Sequence, residues 1–381
     1  MNSPYLSESH HKFRNQIREF AEKEIRPVAA ELDENAEFSV ELSRKMGQLG
    51  LLGLTIPQEY GGQGKDYLSL IIAVEEICRI DGSQGSTVAA HNSLGIGPIY
   101  KYGTEAQKQQ YLPKLTSGNY VWAFGLTEKN AGSDSRGTET TAELKDGYWH
   151  INGEKIFISN STSEMSAGVS LQCITGENEN GRKEYSTILV ESGTEGFSKE
   201  RIKDKMMWRS GDTGKLIFKD VKVPESNLLG KQGTGSRMML ETLDSGRLSV
   251  AAMGLGHAQG AFEAALKYSK ERKQFGKPIN RFQAISFKLA EMATKIQAAR
   301  NMLYHATWLK MNGHSFAKEA AMAKLFCTET AKEVADEAVQ VFGAYALVKG
   351  NEVERHFRDQ RILQIGEGTS EIIKLVISRS L

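Results

Sequence analysis

The chain of 381 residues is poor in cysteine: Cys78, Cys173 and Cys327 are odd in number and show no CxxC spacing. That excludes a disulfide framework and a cysteine-built zinc site, and it fits a reducing compartment. The eight histidines include no HExxH and no pair beside a carboxylate cluster, so no metal is assigned. The adjacent His10 and His11 sit in a polar segment and read as solvated. Charge of one sign is also lacking, with 48 basic against 47 acidic residues and a net charge of +1. Without a basic stripe or an acidic tail, nucleic acid and anionic membrane are poor partners. No apolar run reaches the roughly 18 residues that a membrane-spanning helix needs. The N-terminal stretch MNSPYLSESHHKFRNQIREF lacks the apolar core of a secretory signal and is too mixed in charge for a transit peptide. The expectation is a soluble, cytoplasmic protein with no membrane insertion.

Nucleotide loops are missing as well. GLGHAQG, Gly254 to Gly260, has the wrong spacing for a dinucleotide fingerprint and lies in a helical pattern. GTGSR and GGQGK neither follow a strand nor match a P-loop. A Rossmann-bound nicotinamide and a nucleoside-triphosphate enzyme are disfavoured, so any redox cofactor must be held another way.

What is present falls into three textures. From residue 7 to about 118 the pattern is helical: Phe13, Ile17, Phe20 and Ala21 recur at spacings of three and four until Pro27 interrupts. From 121 to about 230 the chain reads as a small antiparallel β domain, barrel or sandwich. Asp146-Gly147 and Asn152-Gly153 are its turn signals. From about 236 onward three long, Ala-rich amphipathic segments predict helices packed as a bundle. The fold class is α+β.

Several stretches carry chemistry. AFGLTEKNAGSD, residues 123–134, predicts a polar turn whose free backbone N–H groups face an electron-rich ring or an anion, or else an ordinary interdomain loop. In EKIFISN, Phe157 and Ser159 are two apart and point to one side of a strand, though a buried Phe is common there. RKQFGKPI ends a helix with basic residues, where Arg272 either complements the dipole or clamps a phosphate. Asp244 and Arg247 in LDSGR share a helix face, as a salt bridge or as a grip on substrate. In ILQIGEGTSEIIKLVI, Glu367 stands between Gly366 and Gly368. Thr369 is placed to cap a helix with Ile372, Ile373, Val376 and Ile377 on its buried side. Alone, Glu367 would pass for a surface-loop acid.

Together these motifs, with FQAISFKLAEMA and QVFGA, resemble the successive signatures of the acyl-CoA dehydrogenase family over essentially the whole length. TLDSGR, FKLAEMA, KEAAMAKL and EGTSEI are most similar to the short-chain, butyryl-CoA-like members. The resemblance implies a helical domain at 1–120, a β-barrel-like domain at 121–232 and a C-terminal four-helix bundle at 233–381. FAD would lie between the last two.

By the same resemblance Phe124, Leu126, Thr127, Ser133, Phe157, Ile158 and Ser159 line the flavin. Arg272, Phe275, Gln283, Gln340, Gly343 and Ala344 reach the FAD of a neighbouring subunit, which implies a homotetramer. Thr369 and Glu371 touch FAD again. Ser133, Asp244, Arg247 and Gly368 meet the acyl-CoA, and Glu367 matches the catalytic base. The implied activity is α,β-dehydrogenation of a short, possibly branched acyl-CoA in fatty-acid β-oxidation, with electron-transferring flavoprotein as acceptor.

The sequence departs from the family pattern at Lys129 (usually Pro), Ala344 (often Gly) and Gly366 (often Tyr). Gly246 stands where some relatives relocate the base, and Gly85 where glutaryl-type relatives carry an Arg. Competing expectations are a relative acting on an unusual thioester (a cyclic acyl-CoA dehydrogenase, a desulfinase or an enoyl-CoA reductase), an acyl-CoA oxidase, and a non-catalytic helical binding protein.

Overall fold

Phe13, Ile17 and Ala21 are buried at helical spacing in the computed structural model, which describes residues 3–381. They set the inner face of α1, Glu8–Phe20, whose start is fixed by a capping box between Ser7 and His10. His10 is therefore buried rather than solvated, and its Nε2 lies 2.8 Å from Asp66 Oδ2. Pro27 does not stop the helix. A π turn at Ala21–Ile25 precedes α2, Arg26–Asn35, and places Pro27 in the first turn, where its missing N–H costs little. Helices α3 (Val40–Gln48), α4 (Tyr67–Cys78), α5 (Gly82–Ala90), α6 (Gly97–Tyr102) and α7 (Glu105–Thr116) follow. A second π turn, His91–Ile96, lies between α5 and α6.

The chain then forms β1 (Val121–Gly125), β2 (Thr141–Lys145), β3 (Tyr148–Ser159), β4 (Ser166–Glu177), β5 (Lys183–Glu191), β6 (Phe197–Arg201), β7 (Thr213–Pro224) and β8 (Leu228–Leu229). They make one sheet in the order β6-β7-β3-β2-β4-β5-β8, with β1 beside β4. Pairing is antiparallel except where β1 and β2 meet β4, so the sheet is mixed. Trp149, Ile151, Val169, Leu171, Ile188 and Val221 form one core, which requires the sheet to curl over its inner face. Asp146 and Gly147, both at positive φ, make the β2–β3 hairpin turn as expected. Asn152-Gly153 is no turn. It lies inside β3 at a break in register, because a Cβ on Gly153 would come within 2.6 Å of Thr140.

The long helices are α8 (Gly235–Glu271), α9 (Gln283–Met311) and α10 (Ala317–Phe342). Between α8 and α9 a hairpin of β9 (Lys273–Gln274) and β10 (Lys277–Pro278), unforeseen in the sequence, turns through Phe275 and Gly276. Two short helices, α11 (Glu352–Asp359) and α12 (Ser370–Ser378), complete the bundle against α8 and α10. GLGHAQG is a packing motif: a Cβ on Gly256 or Gly260 would sit 2.5 or 2.2 Å from the Glu75 or Arg79 carbonyl. Helices α4 and α8 thus approach backbone to backbone. Ile17, Ile71, Leu248, Ala299 and Val334 belong to one core, so the helices before and after the sheet fold as one mass. No helix among the described residues is long and apolar enough to cross a membrane.

Candidate active site

The loop that carries Glu367 is pinned. Thr369 caps α12 by accepting from the Ile372 N–H at 3.2 Å, and Ser370 Oγ donates to Glu329 Oε1 at 2.6 Å. Lys324, wholly buried on α10, donates from Nζ to the Gly368 carbonyl at 2.7 Å. Glu367 itself adopts φ +53°, a left-handed conformation that costs a side-chain-bearing residue on the order of 1 kcal/mol. Gly368, at φ +100°, is the glycine whose freedom the loop requires. The buried stripe on α12 is narrower than expected. Ile373 is its fully buried apolar residue, while Ile372, Val376 and Ile377 are half-buried, because the helix packs chiefly on α10.

Although Glu367 is half-buried as a residue, its Oε2 is sealed from solvent and has no hydrogen-bond partner among the described residues. Burial pushes its carboxyl up to about 7, against the opposing pull of Lys324 and Arg247. The oxygen lies over Gly246 of α8, 1.9 Å from where a Cβ would stand, and Leu94 Cδ2 closes the same point at 3.0 Å. Tyr67 borders the site and donates to the Ser245 carbonyl at 2.9 Å. Asp244 and Arg247 form a salt bridge, one of the two readings of their spacing, and the Arg247 Nε is also buried without a partner among the described residues. Two sealed polar atoms without partners, on residues that act on each other electrostatically, call for an explanation that core packing does not give. Position 246 and the Glu367 carboxylate thus address one point.

A second group lies on the β domain. Phe124, Leu126 and Thr127 are half-buried at the end of β1, and Ser133 is exposed in the following loop. Ile156 N–H donates to the Thr127 carbonyl at 2.9 Å, which brings Thr127 beside Phe157 and Ser159. A bulge between Lys155 and Ile158 sets Phe157 at φ +60° with 64 % of its surface exposed, while Ser159 is half-buried. Ile158 belongs to the core of the β domain, so only its backbone is free to meet a ligand.

Two backbone donors of the turn after β1 are taken up within the turn itself. The Glu128 and Ala131 N–H groups bond each other's carbonyls. The Glu128 carboxylate accepts from the Glu139 N–H, Thr140 Oγ1 and Lys155 Nζ, each at 2.7 Å. Lys155, fully buried, also donates to the Leu126 carbonyl at 3.1 Å. This ion pair is the scaffold of the loop.

The third group stands apart. Arg272, Phe275, Gln283, Gln340, Gly343 and Ala344 are all exposed at one end of the bundle. Arg272 lies over the Tyr345 ring at 5.7 Å, and Phe275, at the hairpin tip, is 92 % exposed. From Gly246 to Arg272 along α8 is 26 residues, a span of about 39 Å at the helical rise. Within one protomer this group and Glu367 cannot serve the same ligand. Glu371 is exposed beside the Thr369 cap.

Sequence reasoning passed over Lys155 and Lys324, yet each left a signal. Lys155 shares the buried side of β3 with Trp149 and Ile151. Lys324 falls four residues from Ala320 on an otherwise apolar helical stripe. A charged residue in a buried register position is seldom accidental.

Family models agree with this organisation. Residues 7–119 match the acyl-CoA dehydrogenase N-terminal domain, 123–221 the middle domain and 233–381 the C-terminal domain. A short-chain-specific acyl-CoA dehydrogenase of Clostridium acetobutylicum is 44 % identical over 96 % of this chain and 96 % of its own. The structure of butyryl-CoA dehydrogenase from Megasphaera elsdenii superposes with a TM-score of 0.95 at 40 % identity, covering 100 % of this chain and 99 % of that one. A chain in a structure described as the electron-transferring flavoprotein of Acidaminococcus fermentans gives 0.95 at 44 % identity, with 100 % and 99 % covered. On its motifs, its fold and these matches, the chain belongs to the acyl-CoA dehydrogenase family.

Proposed function

We propose that the protein is an FAD-dependent dehydrogenase that converts a short acyl-CoA to its trans-2-enoyl-CoA, with Glu367 as the base. The observation that carries this reading is the sealed, unpartnered Glu367 oxygen over Gly246. A carboxylate in such a place has its proton affinity raised, which suits removal of a weakly acidic α proton near neutral pH. FAD, when bound, supplies the acceptor for the hydride from the β carbon. The chain's own part is to place the thioester, exclude water and take the α proton on Glu367. Backbone N–H groups of the loop would stabilise negative charge on the thioester oxygen as the proton leaves.

The residues fit the cofactor. Phe157 offers an exposed ring face beside the Thr127 loop, and a Cβ on Gly343 would meet nothing within 4 Å. In this reading Thr127 and Ser159 bond the flavin edge, while Arg272, Phe275, Gln283 and Gln340 hold the FAD of a second copy. The separation along α8 favours that assignment of a second copy, and the oligomer in this reading is a homotetramer.

A short substrate agrees with the relatives named above, and electron-transferring flavoprotein is the acceptor in this reading, with the cytoplasm as its location. Position 85 argues against a dicarboxylic acyl group, since a Cβ there would lie 2.0 Å from Cys78 Sγ and leaves no room for a distal cation. The test is anaerobic mixing of the yellow holoprotein with butyryl-CoA. Bleaching of the flavin with crotonyl-CoA as product supports the assignment. A Glu367→Gln variant that bleached at the wild-type rate would remove Glu367 from its role.

A further inference from the structure

A fully buried lysine is rare, and Lys324 is placed directly behind the loop that bears Glu367. Its Nζ bonds the carbonyl of the very next residue, Gly368, at 2.7 Å. We propose that Lys324 is a positioning residue of the site: it fixes the Glu367 loop from the bundle side and supplies a buried positive charge that favours the ionised form of Glu367. The inference rests on Glu367 being the base.

The surrounding charges single Lys324 out. From α8, Arg247 faces the same carboxylate but is already paired with Asp244. From α10, Glu329 accepts the Ser370 hydroxyl, and from α12, Glu371 is exposed. From α4, Tyr67 lies within electrostatic reach of Glu367 and carries no compensating charge. Lys324 is thus the nearby cation that no carboxylate within bonding distance neutralises among the described residues.

The two groups also respond to each other as a charge pair should. Burial lowers Lys324 to about 8, and Glu367 acts to raise it again. Lys324 in turn opposes the rise that burial imposes on Glu367. During turnover the α carbon–hydrogen bond breaks and its proton passes to a Glu367 oxygen. No bond to Lys324 forms or breaks, and its charge stays in place while its partner becomes neutral.

Two variants separate charge from mechanical support. Lys324→Met removes both the cation and the bond to Gly368, whereas Lys324→Gln keeps a donor without the charge. In the holoprotein, infrared difference spectra against Glu367→Gln would follow the Glu367 carboxyl as pH changes. In both Lys324 variants its midpoint should move upward by about one pH unit or more. The acid limb of kcat/KM for butyryl-CoA should move with it, a loss of about tenfold per unit on that limb with the alkaline plateau within about threefold of wild type. An unmoved midpoint in both variants overturns the proposal, and so does a Gln variant that titrates as wild type. The Gln variant carries the test alone if the Met variant does not fold. Retained activity in Glu367→Gln would instead defeat the base assignment, leaving the infrared midpoint to report on Lys324 independently.

Discussion

The Oε2 atom of Glu367 lies 1.9 Å from the point where a Cβ on Gly246 would stand. Neither position can change without the other. A Gly246→Ala substitution must push the carboxylate aside, because the helix backbone cannot yield. Misplacing a reacting group by about 1 Å costs on the order of 100-fold in rate. Flavin content and thermal midpoint should stay near wild type while the rate of anaerobic bleaching falls by about that factor. Wild-type bleaching would show that the carboxylate does not work from this point.

Glu367 also sets a pH dependence. Its carboxyl is raised to about 7, and a base must be ionised to act, so under the proposed role of Glu367 the rate should fall as pH drops through about 7. The stability sign is the reverse. A folded value above the unfolded one means that the folded state holds the proton more tightly, so its contribution is full below about 4.5 and fades as pH rises through 7. Glu367→Gln should therefore be more stable than wild type at pH 8, by about 1–3 kcal/mol, with little difference near pH 5. Urea midpoints at the two pH values decide this.

A buried histidine pair provides an acid-sensitive joint. His257 on α8 and His356 on α11 meet Nδ1 to Nδ1 at 2.9 Å, and both Nε2 atoms lack partners among the described residues. Burial holds His257 down to about 3 and His356 well below its usual range. Depressed histidines favour proton uptake by the unfolded chain. Stability is therefore intact above about 6.5 and lost as pH falls, by about 1.4 kcal/mol per histidine for each unit. Asp359 nearby, raised by burial to about 8, works in the opposite sense, so the comparison must be between proteins. Between pH 7 and 5, a His257→Leu variant should lose less stability than wild type by about 2 kcal/mol.

Lys155 should prove as important to the cofactor loop as any residue that touches flavin. Lys155→Met leaves the Glu128 carboxylate without its cation in a buried setting, at a cost of about 3–5 kcal/mol. The expected result is a lower thermal midpoint and loss of FAD on gel filtration. A variant that kept both would show that the loop holds its shape by backbone bonds alone.

The separation along α8 leads to a complementation test. If Arg272 serves the FAD of a second copy, Arg272→Ala and Glu367→Gln damage different halves of one composite site. Mixed oligomers of two inactive variants should then regain activity, one intact site arising in each mixed pair. No recovery in isolated mixed oligomers would place Arg272 outside a shared site.

Much of the architecture was legible because periodicity reports burial. Phe13, Ile17 and Ala21 marked α1, Asp146-Gly147 marked a hairpin, and Thr369 marked the start of α12. The failures have a common cause. His10, Pro27 and Asn152-Gly153 carry single-residue preferences that their surroundings override: a partner at Asp66, a π turn just upstream, and a close approach to Thr140. Lys155 and Lys324 were illegible as functional groups because a lysine's role depends on what surrounds its ammonium, which residue spacing does not state.

The sequence by itself determined the order of helices, sheet and helices, the identity of the acid at 367 and the family signatures around it. Those follow from side-chain periodicity and from motifs that remain contiguous in the chain. Only the tertiary structure decided what kind of acid Glu367 is. Alone in the sequence it would pass for a surface-loop acid, but the fold ties its loop to Lys324 and, through Ser370, to Glu329, and seals Oε2 against Gly246. Burial and charge are sums over neighbours hundreds of residues apart in sequence, and those sums turn an ordinary loop carboxylate into one poised near neutrality.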